Sequence, residues 1–335
     1  MIKNLAKLAI DNGGLLTPLI IPGELTDGTG LCNVSIYKEA DGRLIANVRH
    51  VHYSLYHAEF DQKFYCKYGT LSYLNPEDDI KLRTGNYLCN LNPETLEIET
   101  YQKIDTSKHD IKPVWTFIGL EDVRILRWND IFYICGVRRD VKPDGEGRME
   151  LCEVHWDENN CKEITRDRIE VDPHTYLEKN WMPVLDMPMH FIRWCDPLQV
   201  MKIDPVNGTS KVVIEKEDNL DIPRELRGGS NVIKVDNQYM CITHEVDFWH
   251  HPGHFKDAFY YHRIVIWDKD WNLKALTKPF KFMDAQIEFA CGLVIEDDNF
   301  IATFGYQDNA AYALRLPINL LDKLEWEDKN TVWKN

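Results

Sequence analysis

Glu121 and Asp122 stand side by side in the run Gly119-Leu120-Glu121-Asp122-Val123-Arg124, with a guanidinium two residues further on. Adjacent carboxylates beside a cation can hold sugar hydroxyls and move the protons exchanged when a glycosidic bond is made or broken. The run reads as the head of a β-strand, and strand neighbours point to opposite faces. One carboxylate is therefore expected to face a cavity while the other braces a neighbouring strand or an arginine.

Other residues with the same potential recur where apolar runs begin or end: Asn33, Arg49, Arg124, Lys179, Asn180, Trp181, Arg227, Ser230, His244, Glu245, His262, Arg263, Glu288 and Asp308. Burying such a mixture is costly without pairing or a ligand. Ion pairs between strand units would account for part of it, and Glu288, beside Phe289 and Ala290, could clamp an arginine. The cationic subset is Arg49, Lys179, Arg227, His262 and Arg263. Arginine forks suit bidentate phosphate binding. The formal charge is −15, so cations gathered at one place point to a bound anion there. A phosphate or diphosphate is the expected anion, a sugar carboxylate or purely structural pairing the alternatives. Glu121, Asp122 and Glu245 are the candidate catalytic carboxylates.

Weaker signals carry less. Trp249-His250-His251-Pro252-Gly253-His254 offers three histidines in a Pro/Gly loop without a clear carboxylate partner, so it reads as a solvated or substrate-contacting loop and no metal is expected. Gly228-Gly229-Ser230 is too short for a phosphate loop and suits close backbone approach instead. No Ser-His-Asp or Cys-His arrangement is recognisable, and nothing calls for a cofactor.

The elements that must position these residues are strands. In 335 residues, 44% of them hydrophobic, helical periodicity is nearly absent, and short β-rich runs alternate with turn signals. The units run from Leu31 through Asp41-Gly42 to Arg49, from Glu121 through Asn129-Asp130 to Cys135, and from Lys179 through Asp186 to Ile192. Two more run from Gly228 through Asp236-Asn237 to Ile242, and from Glu288 through Asp297-Asp298-Asn299 to Thr303. Such units imply an all-β fold, a five-bladed β-propeller forming a single domain over residues 1–335. Blades are expected to begin near 31, 119, 178, 227 and 287, with an insertion about 56–82. A two-sheet sandwich would explain the strands but not the recurrence of polar clusters. In a propeller the innermost strands share one funnel, and the clusters converge.

Composition excludes some classes. The acidic balance, 54 Asp and Glu against 39 Lys and Arg, works against non-specific nucleic-acid binding. The aromatic share of 11% suits either sugar stacking or a β-rich core. Nine cysteines without a CxxC pair suggest buried thiols in a reducing, cytoplasmic setting. No segment resembles a signal peptide or a membrane span.

The motifs, in their order along the chain, resemble those of glycoside hydrolase family 130. Gly119-Leu120-Glu121-Asp122-Val123-Arg124 is similar to that family's G-x-E-D-P-R motif, with Val123 in place of proline. Glu178-Lys179-Asn180-Trp181-Met182-Pro183-Val184 resembles its lysine-bearing strand, Tyr261-His262-Arg263 its Tyr-His strand, and Ile287-Glu288-Phe289-Ala290-Cys291-Gly292-Leu293 its E-x-x-G segment. The likeness spans most of residues 30–315. It implies a five-bladed propeller of the kind found in inverting β-mannoside phosphorylases and related mannosyltransferases. By this resemblance Lys179, Arg49, Tyr261 and His262 would hold phosphate, and Asp122 would bind the sugar. The family's proton-donating aspartate has its nearest counterpart in the run Asn86–Pro93, where Asn92-Pro93 stands instead of an Asp-Gly turn. An amide cannot protonate a leaving oxygen. The expectation is thus an inverting glycosyltransferase whose sugar donor carries a phosphate or diphosphate and whose acceptor is a carbohydrate or other hydroxyl. A phosphorylase or hydrolase of the family type is the alternative, and a non-catalytic glycan-binding propeller the third reading.

Overall fold

The computed structural model describes residues 1–57, 71–74, 81–217, 222–250 and 256–327. Five antiparallel sheets stand around one axis, each entered at its innermost strand and built outward. The first comprises Leu31–Lys38, Leu44–Val51, Leu82–Leu91 and Ile98–Lys103. The second holds Leu120–Trp128, Ile131–Arg138, Arg148–Trp156 and Cys161–Glu163, with Asp167–Arg168 pairing alongside. The third holds Met182–Pro183, His190–Cys195, Leu198–Asp204 and Thr209–Lys216. The fourth has Ile233–Val235, Gln238–His250, Lys256–Asp268 and Leu273–Leu276. In the fifth, Glu288–Glu296, Asn299–Tyr306 and Ala310–Pro317 are completed by the early strand Leu15–Pro18. That last pairing closes the ring with a strand from the other end of the chain. Closure hides backbone groups that would otherwise line an open sheet edge.

The strand sequences explain the stacking. A blade flanked by two others is buried on both faces, so its strands read as nearly continuous apolar runs. Leu44–Val51 is buried at every position. Apolar side chains gather in layers between neighbouring blades rather than in one central core. Val123, Ile125 and Ile134 of blade 2 meet Ile45 and Leu88 of blade 1. Phe191 and Met201 of blade 3 meet Trp128 and Tyr133 of blade 2. Three further layers join blades 3 and 4, 4 and 5, and 5 and 1. The axis itself is polar. Asn231 bonds both the amide and the carbonyl of Leu293, at 2.9 and 2.7 Å, and Thr303 reaches the carbonyl of Val34.

Turn chemistry follows the same logic. Asn129 and Asp130 both adopt positive φ, 49° and 63°, as a two-residue type I′ hairpin turn requires. Between the second and third strands of blade 1, Ser54–His57 pairs with Leu71–Leu74. Most of the expected insertion, including 58–70 and 75–80, lies outside the described residues. Among the described residues no helix is long and apolar enough to cross a membrane.

Candidate active site

Polar residues from all five blades meet in a cavity of about 190 Å³ at the mouth of the axial funnel. Asn33 and Arg49 come from blade 1, Glu121, Asp122 and Arg139 from blade 2, and Lys179 and Asn180 from the segment entering blade 3. Arg227 and His244 come from blade 4 and its entry, and Asp308 from the turn after Tyr306 in blade 5. Tyr53, Phe117, Tyr260, Ile287 and Phe289 complete the lining. A larger groove, about 950 Å³, lies at the outer side of blades 1 and 2 around Asp41 and Trp156, away from these residues.

Local backbone geometry selects the residue types. Asn33, Asp122, Asn180 and Asp308 all adopt positive φ, 45°, 52°, 61° and 51°. Asn and Asp tolerate this left-handed region because a short polar side chain can bond nearby backbone. Register shifts accompany it, between Cys32 and Ser35 and between Cys135 and Val137 opposite Asp122. The second shift corrects the expectation for the carboxylate pair. Alternation is broken at Asp122, so Glu121 and Asp122 both face the cavity.

Arg49 joins the two. Its Nη1 donates to Asp122 Oδ1 at 2.8 Å and its Nη2 to Glu121 Oε2 at 3.2 Å, while Nε donates to Thr84 Oγ1. Asn33 Nδ2 also donates to Asp122 Oδ1, at 2.7 Å. Burial works to raise the Asp122 carboxyl, but Arg49, then Lys179 and Arg124, with the Asn33 hydrogen bond, outweigh it and hold it below the usual range. Glu121 goes the other way: burial raises it, and neighbouring Asp122 adds to the effect against the pull of Arg49. Asp308 is raised as well, first by burial. Among the described residues, Glu121 Oε1 and Asn180 Oδ1 are buried acceptors without a hydrogen-bond partner. Bound hydroxyls would satisfy them.

The cations lie around this carboxylate nest. Lys179 is exposed into the cavity and makes no hydrogen bond or ion pair among the described residues. Arg227 pairs with exposed Glu225 and stacks over Phe248. His244 Nδ1 lies 2.8 Å from the carbonyl of Gly228. A carbonyl only accepts, so that nitrogen carries the proton. Burial, with His262, Lys179 and Arg227 nearby, keeps the ring far below its ordinary pKa and hence neutral. Its Nε2 is then an acceptor. Tyr260 stacks on the ring at 5.6 Å and Phe289 meets it edge-on at 4.9 Å.

Several expected site residues lie elsewhere. Strand alternation along Gln238–His250 and Lys256–Asp268 turns His244 and Tyr260 inward and their neighbours outward. Glu245 is sealed against Arg263 and Arg224, so it is no candidate base, and Arg263 also binds Glu327. Tyr261 lies between Arg224 and Lys281, and Tyr260 takes its place in the cavity. His262 shares the inward face but sits deeper. Its Nε2 accepts the Ala290 amide, Phe280 and Phe282 pack on it, and burial drives its pKa to about 3. It contributes no positive charge.

Arg124 is a strut rather than a lining residue. Fully buried, it donates to the carbonyls of Asp122 and Gly229 and so ties blade 2 to the entry of blade 4. Trp181 is packed between blades 2 and 3 and donates to Glu178. Ser230 receives the Ile242 amide. Among the described residues Glu288 clamps no arginine; it accepts the amides of Phe282, Met283 and Ala285. The Asn92-Pro93 turn lies beyond Leu91, which pairs with Leu44 at the end of the blade remote from Arg49. The missing Asp-Gly turn therefore says nothing about proton donors in the cavity. The histidine loop after His250 lies outside the described residues, and among the described residues no group of His, Cys, Asp or Glu could hold a metal ion.

Arg139, Phe117, Tyr260 and Phe289 were not singled out from the sequence, whereas Tyr53, beside His50 and His52, suggested sugar contacts or core and does line the cavity. Phe289 and Tyr260 could have been found from strand parity with their neighbours. Arg139 had no such signal: it follows a strand end and enters the cavity because Asp140, bonded to Arg138 and to the Gly119 amide, turns the chain there.

No family model matches the chain, and no curated protein matches it. Solved structures do. A β-1,2-mannobiose phosphorylase from Listeria innocua, in complex with β-1,2-mannobiose, is 13% identical with TM-score 0.53, covering 91% of this chain and 95% of that one. A mannose phosphorylase from Leishmania mexicana, in complex with phosphate ion, is 12% identical with TM-score 0.50, covering 98% and 97%. A GDP-Man-dependent mannosyltransferase from Leishmania mexicana is 11% identical with TM-score 0.50, covering 96% and 93%. This chain has their fold, the five-bladed β-propeller.

Proposed function

We propose that the protein is a carbohydrate-active enzyme transferring a glycosyl unit, with inversion, from a phosphate-activated donor to a hydroxyl acceptor. One observation carries this reading: cations from four blades, Arg49, Arg139, Lys179 and Arg227, surround three carboxylates in a small cavity of an acidic protein. Its volume of about 190 Å³ is below the ~300–1,000 Å³ typical of drug-sized ligands, which suits one sugar ring with its phosphate. The fold shared with mannoside-processing structures makes a mannosyl unit the first candidate.

Environments that push two carboxyls apart assign their roles. Asp122, kept ionised by Arg49 and Asn33, orients sugar hydroxyls and faces the positive charge that develops at the anomeric carbon. Glu121, with its raised pKa and open Oε1, takes the proton of the acceptor hydroxyl. The acceptor oxygen bonds to the anomeric carbon as the carbon–oxygen bond to phosphate breaks on the opposite face. The leaving phosphate departs as an anion toward Lys179 and Arg227, with neutral His244 accepting a hydrogen bond from the ligand. A second reading, phosphorolysis of a glycoside, is favoured by Asp308, a raised carboxyl that has no ion pair among the described residues and could protonate a departing sugar oxygen.

Incubation with a panel of nucleotide sugars, and separately with β-mannosides plus inorganic phosphate, tests both. Nucleoside diphosphate release with a new glycoside supports transfer; sugar 1-phosphate in the second arm supports phosphorolysis. No product in either arm refutes the enzyme reading.

A further inference from the structure

We infer that Trp115, Phe117 and Tyr176 form an acceptor-side subsite, an aromatic ledge that takes the sugar units of an oligosaccharide lying beyond the one being joined. The inference rests on the glycosyl-transfer reading above. Phe117 and Arg139 line the cavity, with the Arg139 guanidinium over the Phe117 ring at 4.9 Å. From there Arg139 Nη2 reaches the Tyr176 hydroxyl at 3.5 Å and its Nε donates to the carbonyl of Gly145. Gly145 has φ +72°, and a Cβ there would meet the Trp115 ring at 2.3 Å, so the indole packs directly on this backbone. The Phe117–Arg139–Tyr176 path thus runs outward from the cavity to Tyr176, which is 52% exposed. The buried Trp115 Nε1 has no hydrogen-bond partner among the described residues.

That combination fits a glycan. Sugar C–H faces lie on aromatic rings, and the exposed Tyr176 ring offers such a face. Direction favours the acceptor over the donor's leaving group. Inversion puts nucleophile and leaving group on opposite faces of the transferred sugar. The base Glu121 belongs to blade 2, as does Arg139, whereas Arg227 and His244 belong to blade 4 and its entry. An acceptor delivered to Glu121 therefore leaves the cavity over the ledge. A cavity sized for about one ring cannot hold a longer chain, which must continue outside it.

The test compares mono- to pentasaccharide acceptors from β-linked manno, gluco and galacto series, in transfer and in calorimetric binding without donor. Wild-type protein should favour longer acceptors. In Tyr176→Ala the acceptor KM for the tetrasaccharide should rise about tenfold more than that for the monosaccharide, the loss appearing in KM rather than kcat. Tyr176→Phe should retain the length preference. An equal change for both acceptors, or weakened nucleoside diphosphate binding in Tyr176→Ala instead, would overturn the ledge, as would wild-type protein that binds no oligosaccharide. Tetrasaccharide binding lost in Tyr176→Ala, alongside no turnover with any donor, would sustain the ledge and remove the transfer reading.

Discussion

At the residue scale, Arg49 holds two carboxylates at once, Glu121 and Asp122. Sharing one guanidinium, Asp122 receives the stronger support, from Asn33 as well, while Glu121 keeps an oxygen without a partner among the described residues. Their pKa values therefore separate in opposite directions. A base works only when deprotonated. Because the Glu121 carboxyl is raised, kcat/KM should fall on acidification at a higher pH than an ordinary carboxylate would dictate, with Asp122 still ionised there. Glu121→Gln should cut kcat by about 10²–10⁴-fold and remove that acidic limb. A pH–rate profile of the variant that keeps both its rate and its limb would exclude Glu121 as the base.

At the element scale, the site depends on places where regular strands fail. Four lining residues at positive φ aim short polar side chains into the funnel, and the break at Asp122 lets neighbours face the same way. Close backbone approach is the companion device. A Cβ on Gly228 would lie 1.8 Å from the Asn180 carbonyl oxygen, and one on Gly229 would lie 2.2 Å from that of Ile242. Backbone cannot yield as a flexible side chain does. Gly228→Ala should therefore cost about 1–3 kcal/mol or more in stability. Because Asn180 lines the cavity and Gly228 holds His244, anion binding should weaken in the same variant. Unchanged denaturant midpoints would show that this approach is not tight.

At the scale of the whole molecule, a net charge of −15 coexists with a cationic cavity. Ring closure makes this possible, since each blade contributes only a few charges, one to three, to a shared axis while the rest of the acidic surface faces solvent. Inorganic phosphate or pyrophosphate should raise the unfolding temperature, as any ligand specific to the folded state does. The gain is about 2.7 kcal/mol at a hundredfold excess over Kd. Lys179→Ala should abolish most of the shift, because this lysine has no partner to lose among the described residues. The effect should persist at moderate salt better than for surface charges, which ions screen. Thermal shifts equal in wild type and variant would place the anion elsewhere.

Much of this was legible in the residues. Apolar runs of strand length, turn pairs such as Asn129-Asp130 and a polar cluster at each inner strand determine a five-bladed ring, because period and turn chemistry are local properties. Asn33, Arg49, Glu121, Asp122, Lys179, Asn180, Arg227, His244 and Asp308 could be named from the sequence as candidates that the funnel then gathers. Which neighbour faces inward was not legible. Glu245 against His244, and Tyr261 against Tyr260, differ by one position, and a single bulge reverses parity for every residue beyond it. Nor could the sequence show that Leu15–Pro18 closes the last blade, or that Arg139 reaches the cavity. Both depend on contacts between distant segments, which only the packed ring brings together.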